Sequence, residues 1–227
     1  MSATKTQAFI LKTQDYRETS LLGDFYTRDH GRVRGIVKGI RDMRARFGST
    51  LEPFSLNEIL FYKRKKGGDL HLVTQVETLE DFVSVREDLE RLATASYCVE
   101  LLSELVEPEE PEPQIFELLN DTLHFLAGGH SCKRAARIFE VKLLGLLGLL
   151  PDADHWQDIP TAVSKPVSRG TLNFLEHARR QPVKSLVSVK VSQEVGEELE
   201  KLLRRFTDFH LSHKLKTLVF MEKMGYL

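Results

Sequence analysis

Seven cations crowd nineteen residues of this 227-residue chain: Arg28, Arg32, Arg34, Lys38, Arg41, Arg44 and Arg46, against only Asp29 and Asp42. Arginine and lysine at that density are what a phosphate backbone requires, because each neutralised phosphate releases condensed counterions. Arg32, Arg34 and Lys38 are separated by even steps, so on a strand all three project from one face. A second basic run, Lys63 to Lys66, with Lys65 and Lys66 at its tip, extends the track. An isolated run of this kind reads as a solvated face, whereas on a small barrel it reads as a nucleic-acid footprint. Aromatic rings near it, Phe25, Tyr26, Phe47, Phe54, Phe61 and Tyr62, supply stacking surfaces wherever they are exposed. Phe25 and Phe61 are expected inside, and Tyr26, Phe47 and Tyr62 outside, where stacking is worth roughly 1–3 kcal/mol per base.

Lys133, Arg134 and Arg137 fall in the first two turns of an expected helix, whose dipole adds positive potential for a carboxylate or an acidic peptide. Pairing with a nearby acid such as Glu140 is the plainer reading of the same residues. Other constellations are weaker. Asp15, Glu18 and Asp24 read as loop and strand-edge charges rather than a magnesium site, and His210 and His213 lack a third ligand nearby. Gly31, Gly35 and Gly39 form neither a dinucleotide fingerprint nor a Walker loop and read as turn and bulge glycines. Cys98 and Cys132 read as packed thiols.

Two regions must position these groups. Up to residue 78 the pattern is that of short strands, over Thr6–Thr13, Leu21–Thr27, Arg32–Lys38, Ser55–Lys63 and Leu70–Glu77, separated by turn chemistry at residues 29–31 and 65–69. Five such strands without a covering helix fit a small closed barrel of OB-fold type, with an SH3-like barrel as the rival. After Leu79 the period becomes helical: Leu89–Val106, Ile115–Ala127, a Ser131-capped helix to Leu149, Ser168–Arg180, a helix after Ser192 marked by residues from Val195 to Phe209, and Leu215–Met224. The helix after Ser131 is expected at the centre of a bundle, the acidic stretch Glu107–Pro113 as a loop, and Pro182–Val191 as a strand or extended connection. The expected class is therefore α+β and multidomain, with an OB-fold domain over 1–79 and a helical domain over 80–227.

Charge follows the same division, with 14 basic against nine acidic residues through position 78 and 18 against 24 thereafter. The two regions are expected to meet different partners. The longest apolar run, Leu143–Leu150, is too short to span a membrane, and two cysteines are too few for a disulfide framework. With no signal-peptide pattern at Met1–Lys5, a reducing cytoplasm is expected.

The residues resemble the bacterial RecO family of recombination-repair proteins. The likeness is carried by Asp15-Tyr16-x-Glu18-x-Ser20-Leu21, Phe25-x-Thr27-x-x-x-Gly31-Arg32, Lys38-Gly39-x-Arg41 and Leu51-x-Pro53-Phe54, then by Arg137-x-Phe139-Glu140 with Leu143-Leu144 and Gly148. It implies an OB-fold domain and a helical domain that bind single- and double-stranded DNA and anneal complementary strands in the cytoplasm, at the nucleoid. It further implies docking of the acidic tail of single-stranded DNA-binding protein, at Lys133, Arg134 and Arg137, and action with RecR to load RecA. Many members carry a four-cysteine zinc module where this chain has residues 151–191, which contain no cysteine. No zinc and no other cofactor is therefore expected. Neither is a catalytic residue or an enzymatic activity. An OB-fold RNA-binding protein and a protein-only adaptor stand as alternatives.

Overall fold

The computed structural model describes residues 3–16, 20–38, 51–63, 70–151 and 167–226. Five strands, β1 (Ala3–Tyr16), β2 (Ser20–Thr27), β3 (Gly31–Lys38), β4 (Leu56–Tyr62) and β5 (Leu70–Glu80), close into a barrel in the order β1-β2-β3-β5-β4. All neighbours are antiparallel except β3 and β5. This is the OB-fold arrangement rather than the SH3-like one. Strand alternation selects what faces inward: Ala8 and Ile10, Phe25, Val33 and Val37, Ile59 and Phe61, and Val73 and Val76 form the interior cluster.

Contacts divide the chain into two units, residues 1–83 with 106–116, and residues 84–105 with 117–227. The barrel unit thus includes a segment distant in sequence. In β3, register with β5 begins only at Arg34, opposite Leu70, which leaves the backbone at Arg32 open on that side. Pro108 pairs there in a parallel bridge, and the Glu109 N–H donates to the Arg32 carbonyl at 3.0 Å. The stretch expected as a loop therefore acts as a strap. It covers an outward pair of aromatics, Phe9 and its register partner Tyr26. The Phe116 ring sits 4.9 Å from Phe9, and the Tyr26 hydroxyl donates to the Glu112 carbonyl at 3.4 Å. Gly31 adopts φ +62°, and a Cβ placed on it would lie 2.1 Å from the Glu110 carbonyl oxygen, so its lack of a side chain seats the strap. Gly35 is neither a turn nor a bulge glycine as expected. It lies within β3, where a Cβ would meet Val73 Cγ2 at 2.6 Å.

The second unit is helical. Its elements are α1 (Val83–Arg86), which starts at the boundary, α2 (Leu89–Leu105), α3 (Pro113–Ala127), which begins in the strap, α4 (Cys132–Leu146), α5 (Arg169–Arg180), α6 (Val183–Leu186), α7 (Gln193–His210) and α8 (Lys216–Met224). α4 packs against α2, α5 and α7, which makes it the central helix. Ser131, Ser168 and Ser192 cap α4, α5 and α7, each hydroxyl accepting from an N–H three residues on. α4 ends short of Leu149 because Gly148 turns left-handed at φ +68° and the Leu149 N–H bonds back to the Leu144 carbonyl. Pro182–Val191 is not a strand. Val183 and Leu186, three apart, bury one face of the single turn α6. Phe209, counted among the residues marking α7, instead points to solvent.

Two carboxylates reach across to cap neighbouring helices. Glu100 of α2 accepts from the N–H groups of Lys216 and Thr217 at 3.0 and 2.8 Å, at the start of α8. Glu198 of α7 accepts from the Ser168 N–H at 2.9 Å and from the Thr171 hydroxyl, at the start of α5. Each supplies negative charge where the helix dipole is positive.

Candidate nucleic-acid interface

The β2–β3 hairpin carries the first basic group. Its tight turn places Thr27 opposite Gly31, and Thr27 secures it by donating its hydroxyl to the Gly31 carbonyl at 2.9 Å while accepting from the His30 N–H at 3.0 Å. Asp29 is anchored from β1 by the Thr6 hydroxyl at 2.7 Å. Arg28 sits exposed in the turn, its N–H donated to the Gln7 carbonyl at 3.0 Å. Beyond the turn, Val33 and Val37 face the interior while Arg32, Arg34 and Lys38 face out, as their even spacing requires. Lys38 and Arg34 are exposed and Arg32 is half-buried.

Part of this charge is paired within the barrel. Arg34 Nε lies 3.0 Å from Asp24, its register partner on β2. Lys63, at the end of β4, pairs with Glu109 of the strap at 3.1 Å, and the other oxygen of that carboxylate meets His71 Nε2 at 3.0 Å. Burial pulls the Glu109 carboxyl upward, but the bonds from Lys63 and His71 outweigh it and hold the group below the usual carboxylate range. Burial, reinforced by the Lys63 charge, holds the His30 imidazole below its ordinary value. Arg41, Arg44, Arg46, Lys65 and Lys66 lie outside the described residues, as does Phe47.

Among the aromatics, Phe25 and Phe61 are interior as expected. Tyr26 is not exposed. Its outward parity is correct, but the strap covers it, and burial raises its hydroxyl far above the ordinary tyrosine value. Tyr62 is half-buried at the end of β4. Tyr16, not among the stacking candidates above, is half-buried opposite Ser20 at the end of β1. Its position next to the β1–β2 connection, one of the two with which OB-folds hold oligonucleotides, is the signal for it in the sequence.

The three cations of α4 diverge. Lys133 is exposed, and Arg134 directs Nη1 to the Val187 carbonyl at 2.6 Å. Arg137 turns inward and pairs with Glu140 at 2.9 Å, the side chains being 11% and 1% exposed. The Tyr97 hydroxyl donates to the other Glu140 oxygen. Burial holds the Glu140 carboxyl above its ordinary value even with Arg137 beside it.

His213 Nε2 lies 3.8 Å from Glu104, and Cys98 and Cys132 are buried. Among the described residues no three His, Cys, Asp or Glu side chains converge as a metal set, and no helix is long and apolar enough to cross a membrane.

Comparison with known proteins agrees with this architecture in both units. Residues 1–82 match the family model for the recombination protein O N-terminal region, and residues 86–156 and 159–218 match that for its C-terminal region. The chain is 32% identical to the DNA repair protein RecO of Desulforamulus reducens, with 99% of this chain and 96% of that protein covered. It is 28% identical to the RecO of Pelotomaculum thermopropionicum, with the same coverage of each. Over 68% of this chain and 61% of the relative it is 38% identical to the RecO of Syntrophobacter fumaroxidans.

Proposed function

The chain belongs to the recombination protein O family of DNA repair proteins, and from that premise we propose that it is a non-enzymatic mediator that binds single- and double-stranded DNA on the outer face of its barrel and anneals complementary strands. One observation carries this reading: an OB-fold barrel presents Arg32, Arg34 and Lys38 side by side on the outside of β3, next to Arg28. Arg41, Arg44, Arg46, Lys65 and Lys66 extend the same proposed track. The β2–β3 face of such a barrel is where oligonucleotides lie. Capture is electrostatic with little base readout, which suits a protein that brings together strands of any sequence.

The helical unit takes the protein partners. Lys133 and Arg134 stand at the start of α4 and receive the acidic tail of single-stranded DNA-binding protein, while Arg137 is held beneath them in its pair with Glu140. Together with RecR, the protein then helps load RecA onto coated DNA, in the cytoplasm at the nucleoid.

The test is fluorescence anisotropy of a labelled single-stranded oligonucleotide across a salt series. Neutralising four to six phosphates gives a slope of log affinity against log salt of about −3 to −4, at roughly −0.7 per contact. A triple change, Arg32→Ala with Arg34→Ala and Arg44→Ala, should flatten the slope and weaken binding. A wild-type protein that binds no nucleic acid would give the lead to the adaptor reading, and a preference for RNA would favour the RNA-binding one.

A further inference from the structure

Nucleic-acid binding leaves the acidic strap without a role. Residues 1–83 hold 14 basic and 11 acidic side chains, and the strap residues 106–116 add four acids, Glu107, Glu109, Glu110 and Glu112, and no base. The barrel unit thereby passes from a surplus of three positive charges to one negative. Covering Phe9 and Tyr26 requires apolar groups, which Phe116 supplies, but it does not require four carboxylates.

One of the four is placed with care. Glu109 holds both Lys63 and His71, at 3.1 and 3.0 Å, using a different oxygen for each. Its backbone sits at φ +60°, a left-handed conformation that a non-glycine residue adopts only when its surroundings impose it. His71 is buried, and among the described residues its Nδ1 has no hydrogen-bond partner, so there its ring bonds to the carboxylate rather than to a network of its own. Lys63 follows directly on β4 and opens the β4–β5 connection, the second loop with which OB-folds grip oligonucleotides. A carboxylate spanning a lysine and a histidine with two oxygens does what a phosphate does with two of its own.

We infer that Glu109 is an internal stand-in for phosphate: the strap holds a carboxylate on Lys63 and His71 in the place that a backbone phosphate would otherwise take, so the strap sets the barrel's affinity from within the chain. This rests on the nucleic-acid reading above. Its consequence is a barrel that binds DNA less tightly than its own cations allow, as a protein that must hand strands on requires.

The experiment is the same anisotropy titration with wild type, Glu109→Gln, Lys63→Ala, the double variant and Glu110→Gln. Freeing Lys63 adds one phosphate contact, so Glu109→Gln should steepen the salt slope by about 0.7 and tighten binding about fivefold at 0.1 M monovalent salt. Lys63→Ala should cost less than about twofold in the wild type, where the lysine is already engaged, yet abolish the gain in the Glu109→Gln background. That first arm stands even if Glu109→Gln disturbs folding. A wild type that binds with a steep salt slope but is unaffected by Glu109→Gln, or that loses about fivefold on Lys63→Ala alone, overturns the inference and leaves the nucleic-acid reading intact. Equal gains from Glu109→Gln and Glu110→Gln also overturn it, since net charge alone would then suffice. Absence of salt-dependent binding by the wild type overturns the underlying reading and the inference with it.

Discussion

Replacing Arg137 with alanine strands a carboxylate in the helical core. Glu140 is 1% exposed and its Oε2 has Arg137 Nη1 at 2.9 Å as ion-pair partner, while Oε1 keeps the Tyr97 hydroxyl. At an effective dielectric of about 20, that separation corresponds to about 6 kcal/mol of attraction. Desolvation already offsets part of it in the wild type, where burial holds the Glu140 carboxyl above its ordinary value. Removing one partner of such a pair costs about 3–5 kcal/mol, and Arg137→Ala should fall in that range at pH 7.5. The loss must also be pH-dependent, in a direction fixed by linkage. A carboxyl whose folded pKa is raised takes up its proton in the folded state first, so stability recovers as pH falls through the raised value. Without Arg137 that value rises further, and the deficit relative to wild type should shrink between pH 7.5 and 5.5. Urea unfolding followed by far-ultraviolet circular dichroism at the two pH values measures both quantities. Arg137→Met with Glu140→Leu, which removes both charges, should be closer to wild type than Arg137→Ala. A loss below about 1 kcal/mol, or one indifferent to pH, would refute the reasoning. Loss of acidic-peptide binding in a variant of undiminished stability would return Arg137 to the tail-binding surface.

Gly31→Ala combines a left-handed backbone, worth about 1–2 kcal/mol against a residue with a Cβ, with a collision on the Glu110 backbone, which has no rotamer with which to yield. Its unfolding free energy should fall by about 2 kcal/mol or more, and a change under about 0.5 would mean that the strap moves freely. Gly35→Ala overpacks the barrel against Val73 Cγ2 and should cost about 1–3 kcal/mol. Adding Val73→Ala should restore part of it, and simple additivity of the two losses would place the clash elsewhere. Burial raises the Glu100 carboxyl, but the Thr217 hydroxyl and the N–H groups of Thr217 and Lys216 outweigh it and leave its pKa lowered. Its contribution is therefore present above the unfolded value of about 4.3 and lost as pH falls through the lower folded one. Glu100→Gln should remove that contribution at neutral pH and flatten the acid limb of a helix-melting titration, whereas an unchanged limb would show that the cap is not engaged.

The barrel and the helices were legible because their signals are local. Strand alternation located all five strands, and the serines at 131, 168 and 192 located three helix starts within a residue. Even spacing set Arg32, Arg34 and Lys38 outward correctly, and the tight turn pairing Thr27 with Gly31 also fixes Asp24 opposite Arg34, an ion pair readable by counting along the hairpin. Tyr26 was misplaced for a different reason. Its parity was right, but whether an outward side chain meets solvent depends on what else lies there, and the strap comes from eighty residues away. Prolines and acids in Val106–Phe116 carry no periodicity, so nothing local announces a segment that bonds to β3. Pro182–Val191 failed through a short apolar run whose period suits a strand as well as a turn of helix. Arg137 shows the limit for single residues. Its spacing from Glu140 permitted the pair, but only the packing of α4 against its neighbours turned the arginine inward.

A barrel completed by residues 106–116 cannot be cut from the chain as one continuous piece. Synthesis runs from the N-terminus, and all five strands are made before the segment that covers Phe9 and Tyr26. Until Phe116 emerges, two aromatic side chains and the backbone at Arg32 stay bare, each ring forgoing roughly 1.5–3 kcal/mol of burial. Helix α2, which belongs to the other unit, is translated within that interval. The two units therefore mature interleaved rather than one after the other, and a fragment ending at residue 83 would present an adhesive surface that the full-length protein never shows.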